Sequence, residues 1–517
     1  MKTSTRLLLS LLSGGLLTLI SPPLSIWYVA FFTLVPLLIA IHGAPPRIAL
    51  LCGLISATTA VFIAEYWVIN SMTLFGGIPY IPAFIATFLM SLFGFFNLTL
   101  FAWLARVIQK QRPIPPFLLL PPLYLATEWL VPKLFPWYLG AFLYGWRAGR
   151  QIADITGVLG LSLIILIANV TIYLWFVSLK QGSKKPITET VITILIIIST
   201  QIYGLHRINE LEDLLKNRRN LRISLVQTNI GSLQKEQAAR GAVGAVAFAH
   251  QRNEELVLLA GKENPDLIVL PETAVHGTFT QSKIIQYRMF ALARDVNASI
   301  FFGGYHSETI DGVEVDYNTA FLISPNSELV GHYNKIELLL FGEYLPFPDL
   351  FIWPENVKEA VGEFKRGEEI KVLPFKTEKI APLICYEGIL PRLVRKFVLE
   401  GATVFVNISN DSWFGDSAAP RQHMMLAAWR TVEHRVPLVR STNTGISGFI
   451  NIFGDISDRI ELNQIGVSTK EIDLIDTKTF YTKYGDWLAK LSIILSIIFL
   501  SLGVLKIIRR KKIQSSP

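Results

Sequence analysis

Long apolar runs crowd the N-terminal part of the chain, near residues 6–20, 24–42, 48–69, 81–105, 114–131, 157–179 and 187–204, and one more lies near 487–507. About 20 apolar residues cross a bilayer core as a helix. The pattern therefore predicts an all-α polytopic membrane domain of about eight transmembrane helices, seven in 1–204 and one in 486–517. The first run follows Lys2 and Arg6 and ends at Ser21-Pro22-Pro23, much as a signal peptide would. With the next run starting at once and no small-residue cleavage site, it reads as a retained helix. Between 205 and 485 the rhythm changes. Shorter apolar runs at Leu221–Asn229, Asp266–Leu270, Ala298–Gly303, Tyr317–Ile323, Ile380–Tyr386, Ala402–Val406 and Val436–Val439 predict strands, and stretches such as Ala238–Lys262 and Ser282–Asp295 predict helices. Near-continuous apolar strands bounded by helices predict an α/β domain whose sheet has a covered face.

Composition agrees with this division. The chain is 51% hydrophobic and only 17% charged, with a mean hydropathy of +0.42, more apolar than a soluble protein of this length. Basic residues set an orientation. With a cytoplasmic N-terminus, Arg47, then Arg106, Lys110 and Arg112, then Lys180, Lys184 and Lys185, and finally Arg509, Arg510, Lys511 and Lys512 all fall on one side. The stretch Asn70–Tyr80 on the other side carries no charge, whereas Lys133–Asp154 carries a few basic residues and fits less well. This topology accounts for most of the net charge of +8 and gives no reason to expect nucleic acid as a partner. It also puts 205–485 on the far side of the membrane.

Candidate chemistry sits at predicted strand ends. Cys385 closes the apolar run Ala381-Pro-Leu-Ile and is followed by Tyr386 and Glu387. The only other cysteine, Cys52, lies in an apolar stretch, so no disulfide framework is available. Cys385 is a candidate nucleophile, the plain alternative being a buried core cysteine. Leu267-Ile-Val-Leu-Pro271 delivers Glu272 to another strand terminus, and Tyr333-Asn334-Lys335 precedes Gly342-Glu343-Tyr344. A thiol needs a neighbouring base or positive charge to act as a nucleophile at neutral pH. An acyl carbonyl attacked by sulfur develops negative charge that an ammonium stabilises. Taken singly, Glu272 reads sooner as a helix cap, Lys335 as a solvated loop charge and Glu343 as a surface acid, but together these readings require three coincidences in the right order. His423, at a helix start after Pro420-Arg421-Gln422, reads as a cap or surface group and is left out of the catalytic set.

Glu, Lys and Cys in this chain order resemble the nitrilase superfamily, in which the three groups converge in one pocket. Asn407–Gly415, with Trp413, and the Gly-bearing turn Ser441–Gly448 resemble further family segments. A nitrilase-like domain between seven helices and one resembles, over essentially the whole chain, the apolipoprotein N-acyltransferases. Pro271-Glu272, Asn334-Lys335, Phe341–Pro346, Cys385–Glu387, Asn410–Phe414, Glu128-Trp129 and Phe135–Tyr138 carry the likeness. The chain departs from some members after Ile230, where Gly231–Glu236 contains no tryptophan.

The resemblance implies an α-β-β-α sandwich over 205–485 on the periplasmic side of a bacterial inner membrane, with both termini cytoplasmic. It implies an acyltransferase that needs no cofactor or metal, with a phospholipid as acyl donor, a diacylglyceryl-apolipoprotein as acceptor and a monomer as the working form. Glu272, Lys335 and Cys385 would be catalytic, Glu343, Tyr386 and Glu387 supporting, and Trp413, Phe341 and Tyr344 possible substrate contacts. Phe341, Phe351 and Trp353 would form a lid toward lipid. A membrane-anchored amidase using water, a non-catalytic nitrilase-like binding protein and a transporter are the other readings. The last is disfavoured by the few ionisable residues in the spans, chiefly Glu65 and Glu128.

Overall fold

The computed structural model describes residues 1–74, 76–111, 114–231, 243–340, 342–345 and 364–514, with the side chains of 111, 217, 243 and 502–514 excepted. Phe341, Phe351, Trp353, Arg112, the segment 232–242 and the basic side chains at 509–512 therefore lie outside the described residues. The chain divides into two compact units, Met1–Thr73 with Ile78–Asn209 and Lys483–Pro517, and Leu74–Gly77 with Glu210–Thr482.

In the first unit every predicted apolar run is helical, but the runs differ in length. Thr3–Ile20, Pro46–Ala64, Val158–Gln181 and Ile187–Leu214 are long and apolar enough to cross a membrane, and Tyr80–Gly94 with Phe96–Lys110, bent by 44°, makes a fifth if counted as one span. The runs at 24–42 and 114–131 fall short of that length. The run at 24–42 divides into Trp27–Phe31 and Val35–Ile41. Pro116–Leu130 has 15 residues and holds Pro121 and Pro122 inside it, where each proline removes a backbone donor. The last helix is Trp487–Gln514, whose described side chains end at Ser501. Asn169 mends the break in the divided run: its Nδ2 donates to Ala30 O at 2.9 Å and its Oδ1 accepts from Leu34 N at 2.8 Å. Backbone groups freed inside an apolar layer need such internal partners.

The second unit holds twelve strands among its described residues. They are β1 (Arg219–Gln227), β2 (Leu267–Val269), β3 (Ser299–Ile310), β4 (Val313–Ile323), β5 (Leu329–Asn334), β6 (Leu373–Phe375), β7 (Glu378–Ile384), β8 (Val404–Ser409), β9 (Leu438–Thr442), β10 (Ser447–Ile450), β11 (Ile456–Ile460) and β12 (Gly466–Leu474). Two six-stranded sheets result, ordered β12-β1-β2-β3-β4-β5 and β11-β10-β9-β8-β7-β6. Each has a parallel centre, β1-β2-β3 in one and β7-β8-β9 in the other. The sheets face each other, with Ser441 on β9 donating to Val226 O on β1 at 2.8 Å.

Helices α1 (Val243–Gly261) and α2 (Lys283–Asp295) cover the first sheet, burying Val257, Ala260, Met289 and Ala293 against Ile268, Ile300, Phe302 and Phe321. Helices α3 (Pro391–Leu399) and α4 (Ala419–His434) belong to the second sheet, and α3 buries Leu393, Val394, Phe397 and Val398. β3 and β4 run past their predicted ends because Asp311 and Gly312, both at positive φ, form a tight hairpin turn.

Candidate active site

Three strand ends supply the chemistry. Beyond β2, Leu270 N still bonds to Phe301 O and Gly303 N to Pro271 O, so the Pro271-Glu272 segment rides along β3. A Cβ at Gly303 would stand 2.7 Å from both Glu272 Cα and Thr273 N, so only glycine admits this approach. Lys335 follows β5 and is locked in place by its N–H to Asn318 O at 2.9 Å and by Gly367 N to its own carbonyl at 2.8 Å. Cys385 follows β7 at a φ of 52°. That left-handed conformation is costly for a residue with a side chain and persists only where the surroundings hold it.

All three residues are buried, and Lys335 is only 1% exposed. The Lys335 ammonium lies 2.8 Å from Glu343 and 3.4 Å from Glu272. Asn318 bridges the two acids: its Nδ2 donates to Glu272 Oε1 at 2.8 Å and to Glu343 Oε1 at 2.7 Å. The other oxygen of each acid takes a backbone N–H, from Asn410 for Glu272 and from Leu339 for Glu343, both at 2.8 Å. Burial lowers the pKa of an ammonium, but here Glu343 and then Glu272 outweigh it and raise that of Lys335, so the cation is firmly held.

The Cys385 thiol is pushed up to about 12, first by burial and then by the Glu272 carboxylate, against the opposing pull of Lys335. The resting site is therefore a neutral thiol within electrostatic reach of a carboxylate and an ammonium. Such a set suits nucleophilic attack in which the proton leaves sulfur as the new bond forms. Among the described residues, no cluster of three or more His, Cys, Asp or Glu could hold a metal ion.

The remaining expected residues are placed as follows. Glu343 belongs to the lysine's immediate surroundings. Glu387 is fully buried; its Oε1 accepts from the Tyr333 hydroxyl, Ile336 N and Glu337 N at 2.7, 2.8 and 3.1 Å, and its Oε2 from Ile384 N at 2.9 Å. It thus ties the lysine segment to the cysteine segment. Burial pushes its carboxyl up to about 7 in spite of Lys335 and these donors. Tyr386 is half-buried. Trp413 is 43% exposed in the turn after Asn410. Tyr344 is half-buried beneath the Arg366 guanidinium, 4.8 Å from its ring centroid. Phe341 lies outside the described residues.

His423 is neither cap nor surface group. It is buried, its Nδ1 3.0 Å from Arg440 and 3.4 Å from Asp411. The sequence reading gave no role to Asn318 or Arg440, and it named Tyr333 and Asn407 within motifs without giving either a role. Asn318, a polar side chain inside a strand otherwise buried, carried a usable signal, because a buried amide needs partners of its own.

Comparison with known proteins follows this division of the chain. Residues 222–481 match the carbon-nitrogen hydrolase family and residues 13–171 match the apolipoprotein N-acyltransferase N-terminal domain. The chain is 33% identical to an apolipoprotein N-acyltransferase of Geobacter metallireducens, over 93% of this chain and 91% of that protein. It is 29% identical to apolipoprotein N-acyltransferase 2 of Leptospira interrogans, over 89% of each, and 27% identical to an apolipoprotein N-acyltransferase of Haemophilus ducreyi, over 98% of this chain and 97% of that one.

Proposed function

Because the chain belongs to the apolipoprotein N-acyltransferase family, we propose that it moves an acyl chain from a membrane phospholipid, through a thioester on Cys385, to the α-amino group of the N-terminal diacylglyceryl-cysteine of a lipoprotein. The observation that carries this reading is the gathering of Glu272, Lys335 and the Cys385 thiol in one buried site of the carbon-nitrogen hydrolase domain. In the first half-reaction sulfur attacks the phospholipid ester carbonyl while its proton passes to Glu272. The Lys335 ammonium stabilises the oxyanion. The C–O bond then breaks, and Glu272 returns the proton to the departing lysophospholipid oxygen. In the second half-reaction the lipoprotein amine attacks the thioester, Glu272 takes a proton from nitrogen, and as the C–S bond breaks Glu272 passes that proton to sulfur, giving an amide, the restored thiol and the free carboxylate. The covalent intermediate lets two bulky lipids use one site in turn.

Residues 1–204 are assigned to a membrane domain of seven helices, 205–485 to the periplasmic catalytic domain and 486–517 to a final helix with a basic tail, in the inner membrane, with both termini cytoplasmic. The apolar helices and the one-sided distribution of Arg47, Arg106, Lys110, Lys180, Lys184 and Lys185 support this arrangement. Keeping the site at the bilayer avoids drawing acyl chains into water, at about 0.8 kcal/mol per CH₂.

A hydrolase of carbon-nitrogen bonds would use the same groups with water as acceptor. Incubating the purified protein with phospholipid and a synthetic diacylglyceryl lipopeptide separates the readings. Transfer adds one acyl chain to the lipopeptide amine in the parent protein and none in Cys385→Ala; release of free fatty acid without that product would overturn the transferase reading.

A further inference from the structure

Cys385 keeps its left-handed backbone although it has a side chain, so something must hold it. Asn407, on β8, does so directly: its Nδ2 donates to Leu383 O at 3.0 Å and to Cys385 O at 3.1 Å, pinning the carbonyls on either side of the bend. This works only with the amide turned nitrogen-first. Its Oδ1 accepts a hydrogen bond from Arg440 Nη1, on the neighbouring β9, and a guanidinium donates but never accepts. Arg440 thereby fixes which end of the amide faces the bend.

Arg440 is fully buried and its charge is balanced by Asp411, 3.0 and 3.2 Å away, which also accepts from Ser409 at 2.7 Å. His423 Nδ1, 3.0 Å from Arg440 Nη2, must accept and so leaves that ring neutral. Burial, and then Arg440, hold it below its usual range. The bend is also shaped to fit the amide. A Cβ at Gly388 would stand 2.8 Å from Asn407 Cγ, so the glycine leaves the space the amide occupies.

We propose that Asn407 and Arg440 are positioning residues for the nucleophile, a guanidinium-to-amide-to-carbonyl relay that holds the Cys385 bend and so aims its sulfur. The proposal rests on Cys385 being the nucleophile. A misplacement of about 1 Å at a reacting atom costs about 100-fold in rate, so the relay acts on the chemical step and leaves lipid binding alone.

The test compares the full-length parent, Asn407→Asp and Gly388→Ala, each with Cys52→Ala so that one thiol remains. Asn407→Asp removes the donor with little change of shape, and Gly388→Ala crowds the amide without changing charge. Both are expected to slow formation of the Cys385 acyl adduct from phospholipid about 100-fold, with KM for phospholipid within about twofold of the parent and a cooperative melt retained. A Gly388→Ala protein that acylates at the parent rate, or an Asn407→Asp protein whose rate falls only in proportion to its folded fraction, would overturn the proposal. Should the parent itself take up no acyl chain, the transfer reading fails, while alkylation of Cys385 by iodoacetamide still tests the relay. Unequal alkylation in parent and variants supports the relay, and equal rates overturn it.

Discussion

The Tyr333 hydroxyl donates a 2.7 Å hydrogen bond to Glu387, joining the strand that leads to the lysine with the turn that carries the cysteine. Both side chains are buried, and burial raises the Glu387 carboxyl from 4.5 to about 7. Between those values the folded protein holds a proton that the unfolded chain has released. Stability from this group therefore falls as pH rises from about 4.5 to about 7, and levels off above. Melting temperatures of the parent and Glu387→Gln across pH 4.5–8 read the effect, since the glutamine does not titrate. The parent's advantage should shrink up to about pH 7; an advantage that grows over the same range would contradict this.

Glu272 has opposite effects on the free thiol and on catalysis. Its charge raises the thiol's affinity for its proton, yet the proposed reaction needs it as the base. Glu272→Gln should therefore react faster than the parent with iodoacetamide at neutral pH while losing acyl transfer. Slower alkylation would show that the carboxylate activates the resting thiol instead.

Asn318 holds two carboxylates with one NH₂ group. Asn318→Leu removes both bonds and lets Glu272 and Glu343 shift about the lysine. We expect kcat to fall by roughly 10- to 100-fold, with a cooperative melt retained. An unchanged kcat would confine Asn318 to packing.

Gly303→Ala should displace the base without altering any ionisable group. Its new Cβ would meet Glu272 Cα at 2.7 Å, with backbone rather than a flexible side chain in the way. Acyl transfer is expected to drop about 100-fold. Full activity would mean that the Pro271-Glu272 segment yields freely.

What was legible follows from how each feature is encoded. Glu272, Lys335 and Cys385 stand at strand ends after short apolar runs, and chemistry of that kind is written locally. Asn318, Asn407 and Arg440 sit within strands, and their partners come from elsewhere in the chain: Asn318 meets Glu272 and Glu343 on two segments beyond strand ends, and the register of β8 against β9 brings Asn407 opposite Arg440. No local pattern carries that pairing. His423 was misread for the same reason, since its burial depends on Asp411 and Arg440, the latter 17 residues onward. β12 escaped because Gly466–Leu474 is mostly half-exposed and polar, while its pairing with β1 lies far away in sequence. In the first unit the apolar runs were plain, but prolines and breaks decide how many stay whole, and Pro121 with Pro122 sits in one of the shortened helices.

The most direct measurement is intact-protein mass spectrometry after brief incubation with a single defined phospholipid. One acyl chain should appear on Cys385, survive in water, discharge when a diacylglyceryl-cysteine lipopeptide is added, and be absent from Cys385→Ala. An adduct that persists in Cys385→Ala, or that water removes as fast as the lipopeptide does, would contradict the thioester transfer on which the account rests.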